Sequence, residues 1–261
     1  MLIQILLERF RQGYNTMKYP AVPPANLPPL FAGRPELAPD KCGGCSKPCE
    51  TACPTGAFKV SDGVPELDMG KCLFCRGCEK ACPRQTVHFT RDHRTAALSR
   101  ADLVVTPGSP KPVFGQTRAR RFFRRSFSLR VVSAGGCNAC EADTNVLTTL
   151  AWDISRFGIK YAASPRHADG IIVTGPVTAN MRQALLYTYA AVPTPKVVIA
   201  LGTCAVSGGL FAARAEDGTE ENTGAAPHLP VDLLIPGCPP HPYTILDALL
   251  RFIGVIGDDN G

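Results

Sequence analysis

Four cysteines at three places far apart in the sequence follow short apolar runs of strand type that end in glycine. These four residues are Cys137, Cys140, Cys204 and Cys238. Because ligands gather at the carboxyl ends of parallel strands, the pattern predicts one site with four thiolate ligands. Thiolate sulfur selects iron–sulfur clusters or zinc. Glu141 directly follows Cys140, and we expect it either to place a favourable charge at a helix N-terminus or to act as a polar group beside the site.

The twelve cysteines in this chain of 261 residues decide its class. An apolar content of 45% and a charged content of 19% are typical of a globular protein with one or two domains. Disulfides in a secreted protein are one use for the cysteines, but residues 1–10 lack a basic segment and carry Glu8 inside their apolar run, unlike a signal peptide. We therefore expect a reducing compartment and metal ligation. The longest uncharged run, 197–213, is shorter than the roughly 20 residues that span a membrane.

Residues 41–90 contain an internal repeat of two cysteine-rich runs, each ending in Cys-Pro. The second run reads C-x2-C-x2-C-x3-C-P, the spacing of bacterial two-cluster ferredoxins, in which the fourth cysteine of each run binds the cluster of the other run. The pattern predicts a first set of ligands (Cys42, Cys45, Cys49 and Cys82) and a second set (Cys72, Cys75, Cys78 and Cys53); the four cysteines named above form the third set. Separate four-cysteine zinc sites are the alternative, and the two Cys-Pro endings fit them less well.

The first run departs from this spacing, because three residues, 46–48, separate Cys45 from Cys49 where two are usual. A bulge of one residue would keep the sulfur in place. Without such a bulge, the extra residue would weaken that ligand and favour a cluster that lacks one iron.

Two stretches rich in proline or basic residues flank this repeat. Residues 1–40 begin with a short apolar helix and continue as a proline-rich arm, whose apolar end would pack on the core or anchor on a partner subunit or a membrane surface. A partner is favoured, since so short an apolar segment binds a membrane weakly. Residues 91–127 predict a linker with a basic helical turn at 118–125, which fits a solvated or partner-facing surface better than a nucleic-acid site.

Strand-like runs and helical patterns alternate over residues 128–255. The predicted strands are 129–133, 158–162, 170–174, 196–201 and 231–235, and the predicted helices are 141–156, 178–191 and 241–254. This alternation predicts a parallel sheet with right-handed crossovers. The fold class is α/β, with an N-terminal two-cluster ferredoxin-like α+β domain and a C-terminal flavodoxin-like doubly wound parallel sheet. We expect His88 and His93 at the surface, and His241 at the start of a helix near the third set.

Residues 128–255 resemble the small subunit of membrane-associated, energy-converting [NiFe]-hydrogenases of the formate hydrogenlyase type. They are also similar to the 20 kDa cluster-bearing subunit of respiratory NADH:quinone oxidoreductase. The matching motifs lie at 155–158, 164–169, 174–178, 201–204 and 236–240. Residues 1–90 are similar to the two-cluster ferredoxin-like subunit of the same complexes, so the two subunits look fused here. The pair Cys137-x-x-Cys140 before Glu141 matches the hydrogenase branch, because the quinone reductase subunits carry two adjacent cysteines.

The resemblance implies an electron-transfer subunit with three [4Fe-4S] clusters and no catalytic centre of its own. Its expected partners are a large subunit, either of the [NiFe]-hydrogenase or of the complex I type, and membrane subunits that contact the N-terminal arm; no nucleic acid is expected. The implied location is cytoplasmic, on the inner face of the cell membrane. A complex I-type cluster subunit and a free-standing electron carrier or redox sensor are the alternatives. The free-standing carrier is less favoured, because we expect residues 174–177 and the neighbouring sheet edge to form an apolar surface that needs a partner.

Overall fold

The computed structural model describes residues 2–24, 27–38, 42, 45–214 and 220–258. The N-terminal half, up to residue 122, consists of short elements. They are α1 (Leu2–Gln12), β1 (Pro35–Leu37), α2 (Pro48–Thr51), β2 (Phe58–Ser61), β3 (Val64–Asp68), α3 (Gly77–Ala81), β4 (Val87–Phe89), β5 (Val104–Val105) and α4 (Arg118–Phe122). Strands β2, β3 and β5 form one antiparallel sheet, and β1 pairs with β4 in another.

The C-terminal half contains the main sheet. Its elements are β6 (Phe127–Ser133), α5 (Ala139–Val146), β7 (Ile159–Tyr161), β8 (Gly170–Thr174), α6 (Ala179–Ala191), β9 (Val197–Leu201), α7 (Thr203–Ser207), β10 (Ala213–Arg214), β11 (Glu220–Glu221), β12 (Leu233–Ile235) and α8 (Pro242–Phe252). Five of these strands pair in parallel in the order β7-β6-β8-β9-β12. Counted along the chain, this order is 2-1-3-4-5, the flavodoxin-like arrangement. The predicted parallel sheet is confirmed, and each predicted strand is present within two residues of its expected bounds.

The two faces of the main sheet pack on different partners. Strands β8 and β9 are buried along their whole length, as expected for central parallel strands. Ile172 and Ile199 belong to a core shared with α8, every residue of which is buried. Ile171 and Val173 belong to a second core, which also contains Phe58 from the N-terminal half. The two halves of the chain are therefore joined by a common hydrophobic core.

The helix predicted at 141–156 ends earlier, at Val146. The hydroxyl of Thr148 donates to the carbonyl oxygen of Asn145, and the hydroxyl of Thr149 donates to that of Val146. Such local bonds compete with the continuation of a helix. After a turn the chain forms a short 3-10 helix, Ile154–Phe157, which leads into β7.

The N-terminal arm divides into an exposed helix and a packed segment. Ile3, Ile5, Leu6, Leu7 and Phe10 of α1 are exposed, with Phe10 at 84%, so the less favoured alternative, in which this end packs on the core of the chain, is wrong. The following segment crosses the C-terminal half: the amide of Met17 donates to the carbonyl oxygen of Ala151, and Tyr19 is buried. Within the residues described, no helix is both long enough and apolar enough to cross a membrane.

A buried charged cluster fastens this arm. The Tyr19 hydroxyl donates to Asp247 Oδ1 at 2.7 Å, while Arg251 Nε and Arg94 Nε lie 2.7 Å and 3.2 Å from the two oxygens of the same carboxylate. His93 Nε2 lies 3.3 Å from the Tyr19 hydroxyl, and His93 is buried. The prediction that His93 lies at the surface is therefore wrong, because partners distant in sequence enclose it.

Candidate metal centre

The third set of cysteines lies at the carboxyl edge of the main sheet. Cys137 and Cys140 follow β6, Cys204 lies in α7 directly after β9, and Cys238 follows β12. The chain reaches this arrangement through Gly202, whose φ is +88°. A Cβ atom at that position would lie 2.5 Å from the sulfur of Cys140, so only glycine lets the β9 loop pass so close.

Strand β8 lies between β6 and β9 in the sheet. The loop that follows β8 folds inward and so leaves room for the cysteines of the third set. Gly175 has a φ of +81°, and a Cβ atom there would lie 2.4 Å from the amide nitrogen of Gly136. The amide of Val177 donates to the carbonyl oxygen of Ala134 at 3.0 Å. Residues 174–177 are consequently buried. The expectation that they form an exposed apolar surface is wrong, because this turn packs under the loop that carries Cys137.

Electrostatics link the four sulfurs of the third set. Burial raises the pKa of Cys140 to about 12, and the charges of Glu141, Cys204, Cys238 and Cys137 add to this rise. Burial likewise raises the pKa of Cys204 to about 11, with smaller contributions from Cys238 and Cys137. Four thiolates that repel one another in a desolvated place are stabilised by a positively charged group among them. The donor set therefore fits a metal cluster with thiolate ligands.

Glu141 lies in the first turn of α5, next to Cys140. It is only 9% exposed, and its Oε1 accepts a hydrogen bond of 2.6 Å from the hydroxyl of Thr174. Burial alone would raise the pKa of Glu141, but hydrogen bonds from the Ser133 and Thr174 side chains outweigh it and hold the pKa below its usual value. The charged carboxylate is thus fixed beside the third set, and both roles expected for it are compatible with this position.

The second set of cysteines lines a small apolar pocket. Cys53, Cys72, Cys75 and Cys78 border this space of about 10 Å³ together with apolar residues such as Phe58. Two of the sulfurs already accept backbone hydrogen bonds: the amide of Ala57 donates to Cys53 Sγ at 3.2 Å, and the amide of Phe74 donates to Cys72 Sγ at 3.3 Å. Such N–H···S bonds stabilise thiolates and tune the reduction potential of bound clusters. The second set also fits a cluster with thiolate ligands.

The first set is described with less of its surroundings, since residues 39–41 and 43–44 lie outside the described part of the chain. Burial raises the pKa of Cys42, and the neighbouring Cys45 and Cys82 raise it further. Burial and the neighbouring Cys82 also raise the pKa of Cys49. The amide of Thr86 donates to Cys82 Sγ at 3.3 Å. The cysteines of the first set therefore also lie close enough for the charge of one to raise the pKa of another.

The extra residue of the first run lies outside the helix that follows it. Lys47, which precedes α2, and Arg76, which precedes α3, both adopt the left-handed conformation, with φ of 52° and 60°. Cys49 and Cys78 occupy the same second position in these two helices. The additional residue thus falls between Cys45 and Lys47, and the helical turn keeps the same register in both runs.

The second and third sets are adjacent. The charge of Cys75 contributes to the raised pKa of Cys238, after burial and the charge of Cys137. The hydroxyl of Thr203, next to Cys204 in sequence, donates to the carbonyl oxygen of Cys72 at 2.8 Å. Thr203 is not among the predicted site residues, and its only signal in the sequence is its place inside the motif 201–204.

The state of the cysteines and the cavity beside His241 complete the description of the site. All twelve cysteines are free thiols. Across the described ranges, no group of three or more His, Cys, Asp or Glu side chains is arranged to hold a single metal ion, so the fit of the cysteine sets to clusters rests on their positions and shared electrostatics. His241 is the N-cap residue at the start of α8, as expected, and its Nδ1 accepts a hydrogen bond from the amide of Tyr243. His241 and Cys238 line a mainly apolar cavity of about 330 Å³ between the loops of the second and third sets.

Comparison with known proteins places the C-terminal half in a family. Residues 137–252 match the family model described as NADH ubiquinone oxidoreductase, 20 Kd subunit. An uncharacterized protein of Methanocaldococcus jannaschii is 40% identical over 130 residues, which cover 50% of this chain and 84% of that protein. The probable membrane-bound hydrogenase subunit mbhJ of Pyrococcus furiosus is 38% identical over 130 residues, 50% of this chain and 75% of its own length.

Other relatives are longer than the matched region. The NAD(P)H-quinone oxidoreductase subunit K of Synechococcus sp. (strain CC9902) is 41% identical over 125 residues, which cover 48% of this chain and 50% of that subunit, so the match spans about half of its length. Among solved structures, a chain of the membrane-bound sulfane sulfur reductase, an archaeal respiratory membrane complex, aligns with a TM-score of 0.43 and 28% identity over 52% of this chain and 73% of its own. On the family match and the two relatives covered over more than two thirds of their length, the chain belongs to the family of the NADH ubiquinone oxidoreductase 20 Kd subunit.

Proposed function

We propose that this chain is the electron-transfer subunit of a membrane-associated oxidoreductase complex and that it holds three [4Fe-4S] clusters. The observation that carries the proposal is the convergence of the third set at one sheet edge, directly beside the loop of Cys72 from the second set. Thiolate sets that follow one another in space suit a path for electrons. Iron–sulfur clusters held there would take up and release single electrons.

The residues of the chain have defined tasks in this proposal. The first, second and third sets would each supply four thiolates to one cluster. The amides of Ala57, Phe74 and Thr86 donate to the sulfurs of Cys53, Cys72 and Cys82 and would stabilise their charged forms. Apolar residues such as Phe58 line the second set, and a hydrophobic shell of this kind would increase the effect of these hydrogen bonds on the reduction potential. Glu141 would add a fixed negative charge beside the third set.

The hydrogenase branch is the better supported identity of the complex. The spacing Cys137-x-x-Cys140 before Glu141 matches the hydrogenase pattern of the resemblance, and one relative is named a probable membrane-bound hydrogenase subunit. In this assignment the large subunit carries the nickel–iron site, and this chain relays electrons to or from it. The complex I-type assignment is the second candidate, because the K subunits of NAD(P)H-quinone oxidoreductase match at a similar identity.

The exposed helix α1 supports an assembly with further subunits. Ile3, Leu6, Leu7 and Phe10 are all more than half exposed on this helix. Apolar surface of this kind is stabilised when a partner covers it. We place the membrane subunits of the complex on this side and the chain itself on the cytoplasmic face of the membrane.

Iron analysis and electron paramagnetic resonance of the reconstituted full-length chain test the proposal. We expect about twelve irons per chain and reducible four-iron signals. The variant Cys204→Ala removes one ligand of the third set and is expected to lower the iron content to about eight, while Thr188→Val, at a half-buried position on α6, leaves it unchanged. Iron far below twelve, or the absence of any reducible four-iron signal, would refute the proposal.

A second test separates the two branches. The large subunit that copurifies with this chain is sequenced and assayed. Two Cys-x-x-Cys pairs in it, with hydrogen-dependent dye reduction, assign the hydrogenase branch; their absence, with quinone reduction, assigns the complex I type. A chain that purifies as a stable monomer and transfers electrons without any partner would instead favour the free-standing carrier.

A further inference from the structure

Helix α7 lies at the junction between the second and third sets of cysteines. Its first and last residues, Thr203 and Ser207, are four positions apart and therefore lie on the same face of the helix. The Thr203 hydroxyl donates to the carbonyl oxygen of Cys72 at 2.8 Å, and the Ser207 hydroxyl donates to that of Gly70 at 2.8 Å. Two hydroxyls thus bind α7 to the loop that begins the second run of cysteines.

Thr203 also contacts the loop that carries Cys238. The amide of Thr203 donates to the carbonyl oxygen of Gly237 at 2.8 Å, and the amide of Gly237 lies 3.3 Å from Thr203 Oγ1. A hydroxyl has one proton to donate and two lone pairs, so Thr203 donates to the nearer carbonyl oxygen, that of Cys72, rather than to that of Gly237 at 3.1 Å, and accepts from the Gly237 amide at the same time. Its side chain is fully buried, which removes competition from water.

The loop held by α7 has little freedom of its own. A Cβ atom at Gly70 would lie 2.7 Å from Arg100 Cζ and 2.9 Å from Val206 Cγ1. Arg100 in turn pairs with Asp68, whose Oδ1 accepts a hydrogen bond from Arg100 Nη1 at 2.6 Å and one from the amide of Gly70 at 2.9 Å. The loop that contains Gly70 and Cys72 is therefore packed tightly. Its contacts with α7 fix its distance from the main sheet.

We propose that Thr203, assisted by Ser207, is a positioning residue that fixes the spacing between the second and third sets of cysteines. The single buried side chain of Thr203, the residue before Cys204, contacts the backbone of Cys72 and the backbone of Gly237, the residue before Cys238. The distance between the second and third sets determines how readily electrons pass between them. This inference rests on the proposed function, since it assigns a role in the path that the proposed clusters form.

Three variants of the full-length reconstituted chain test the inference. Thr203→Val keeps the shape of the side chain and removes its hydroxyl, Thr203→Ser restores the hydroxyl, and Ser207→Ala removes the second bond. Thr188→Val is the matched control, because the Thr188 hydroxyl bonds only within α6, to the carbonyl oxygen of Ala184. Two quantities are measured. The first is the rate of hydrogen exchange at the Gly237 amide. The second is the magnetic interaction between the reduced clusters of the second and third sets in the electron paramagnetic resonance spectrum.

For Thr203→Val we expect Gly237 exchange to accelerate about tenfold, equivalent to about 1.4 kcal/mol, as expected when a buried hydrogen bond is lost. We also expect the magnetic interaction to weaken while the iron content is retained. Thr203→Ser should recover both readouts, and Thr188→Val should change neither.

Unchanged exchange and an unchanged magnetic interaction in Thr203→Val would overturn the inference, as would a wild-type chain whose clusters are reducible but do not interact. If Thr203→Val does not take up iron, Ser207→Ala decides in its place, with a weakened interaction supporting the inference and an unchanged one overturning it. Failure of the proposed function looks different, because the wild-type chain would then lack four-iron signals altogether.

Discussion

Gly202 offers the sharpest steric test of the third set. The change is Gly202→Ala. Its backbone, with φ +88° and ψ 155°, lies in a region that is nearly exclusive to glycine, where another residue costs about 1–3 kcal/mol. The added Cβ would also meet Cys140 Sγ at 2.5 Å, whereas ordinary contact begins at 3.4 Å. The sulfur or the β9 loop must therefore move by about 0.9 Å, the difference between these two distances.

A displacement of this size is large for a ligand, because metal–sulfur distances vary by only about 0.2 Å in well-formed sites. We expect Gly202→Ala to lose the third cluster, so that iron falls from about twelve to about eight per chain and one reducible signal disappears. The assay is iron analysis with resonance spectroscopy, together with urea unfolding to measure stability. Gly108→Ala is the control: its φ is +75°, and no atom lies within 4 Å of the added Cβ.

The control should cost about 1 kcal/mol of stability through the backbone alone and keep its iron. Full iron content and an unaltered third signal in Gly202→Ala would refute the reasoning, because the close approach of the β9 loop to Cys140 would then be irrelevant to the site. Loss of iron in both variants would equally contradict it, since strain remote from the cysteines would explain the result.

Two further predictions concern the buried cluster that fastens the N-terminal arm. Asp247→Asn removes the charge that pairs with Arg251 at 2.7 Å and Arg94 at 3.2 Å, and we expect the free energy of unfolding in urea to fall by about 3–5 kcal/mol; Asp102→Asn, at an exposed site, should change it by less than about 0.5 kcal/mol. Burial holds the pKa of His93 below its usual 6.5, so the stability that this histidine contributes is complete above pH 6.5 and is lost as the pH falls toward its folded-state pKa. His93→Gln should therefore flatten part of the acid side of the stability profile, and an unchanged slope between pH 5 and 7 would contradict this reasoning.

The main sheet was predictable because its signals are local. The runs before the third set are mainly apolar over five or six residues and are followed by glycine, and βαβ alternation then leaves little choice of topology. The structure places β8 at 170–174, as predicted. The positions of the three sets of cysteines follow from these strands and from the repeat, while the ligand sets themselves remain predictions.

What the sequence could not supply are contacts between distant residues. His93 lies in a polar stretch, and only its approach to Tyr19 and Asp247, 74 and 154 positions away, makes it a buried residue. The inward fold of residues 174–177 likewise depends on the close approach of Gly175 to Gly136 in the loop after another strand. Local composition contains no information about such pairs, so both positions were assigned to the surface.

The shared core explains why the two cysteine-bearing halves can act as one unit. In β8, Ile171 and Val173 pack with residues of the N-terminal half, while Ile172 packs toward α8. The N-terminal half thus covers a sheet face that would otherwise expose apolar side chains. Movement of one half against the other would uncover this surface at a cost of about 25 cal/mol for each Å². The hydrophobic core therefore limits large changes in the distance between the second and third sets. In the inference above, the hydroxyl of Thr203 limits the smaller changes in this distance that the core allows.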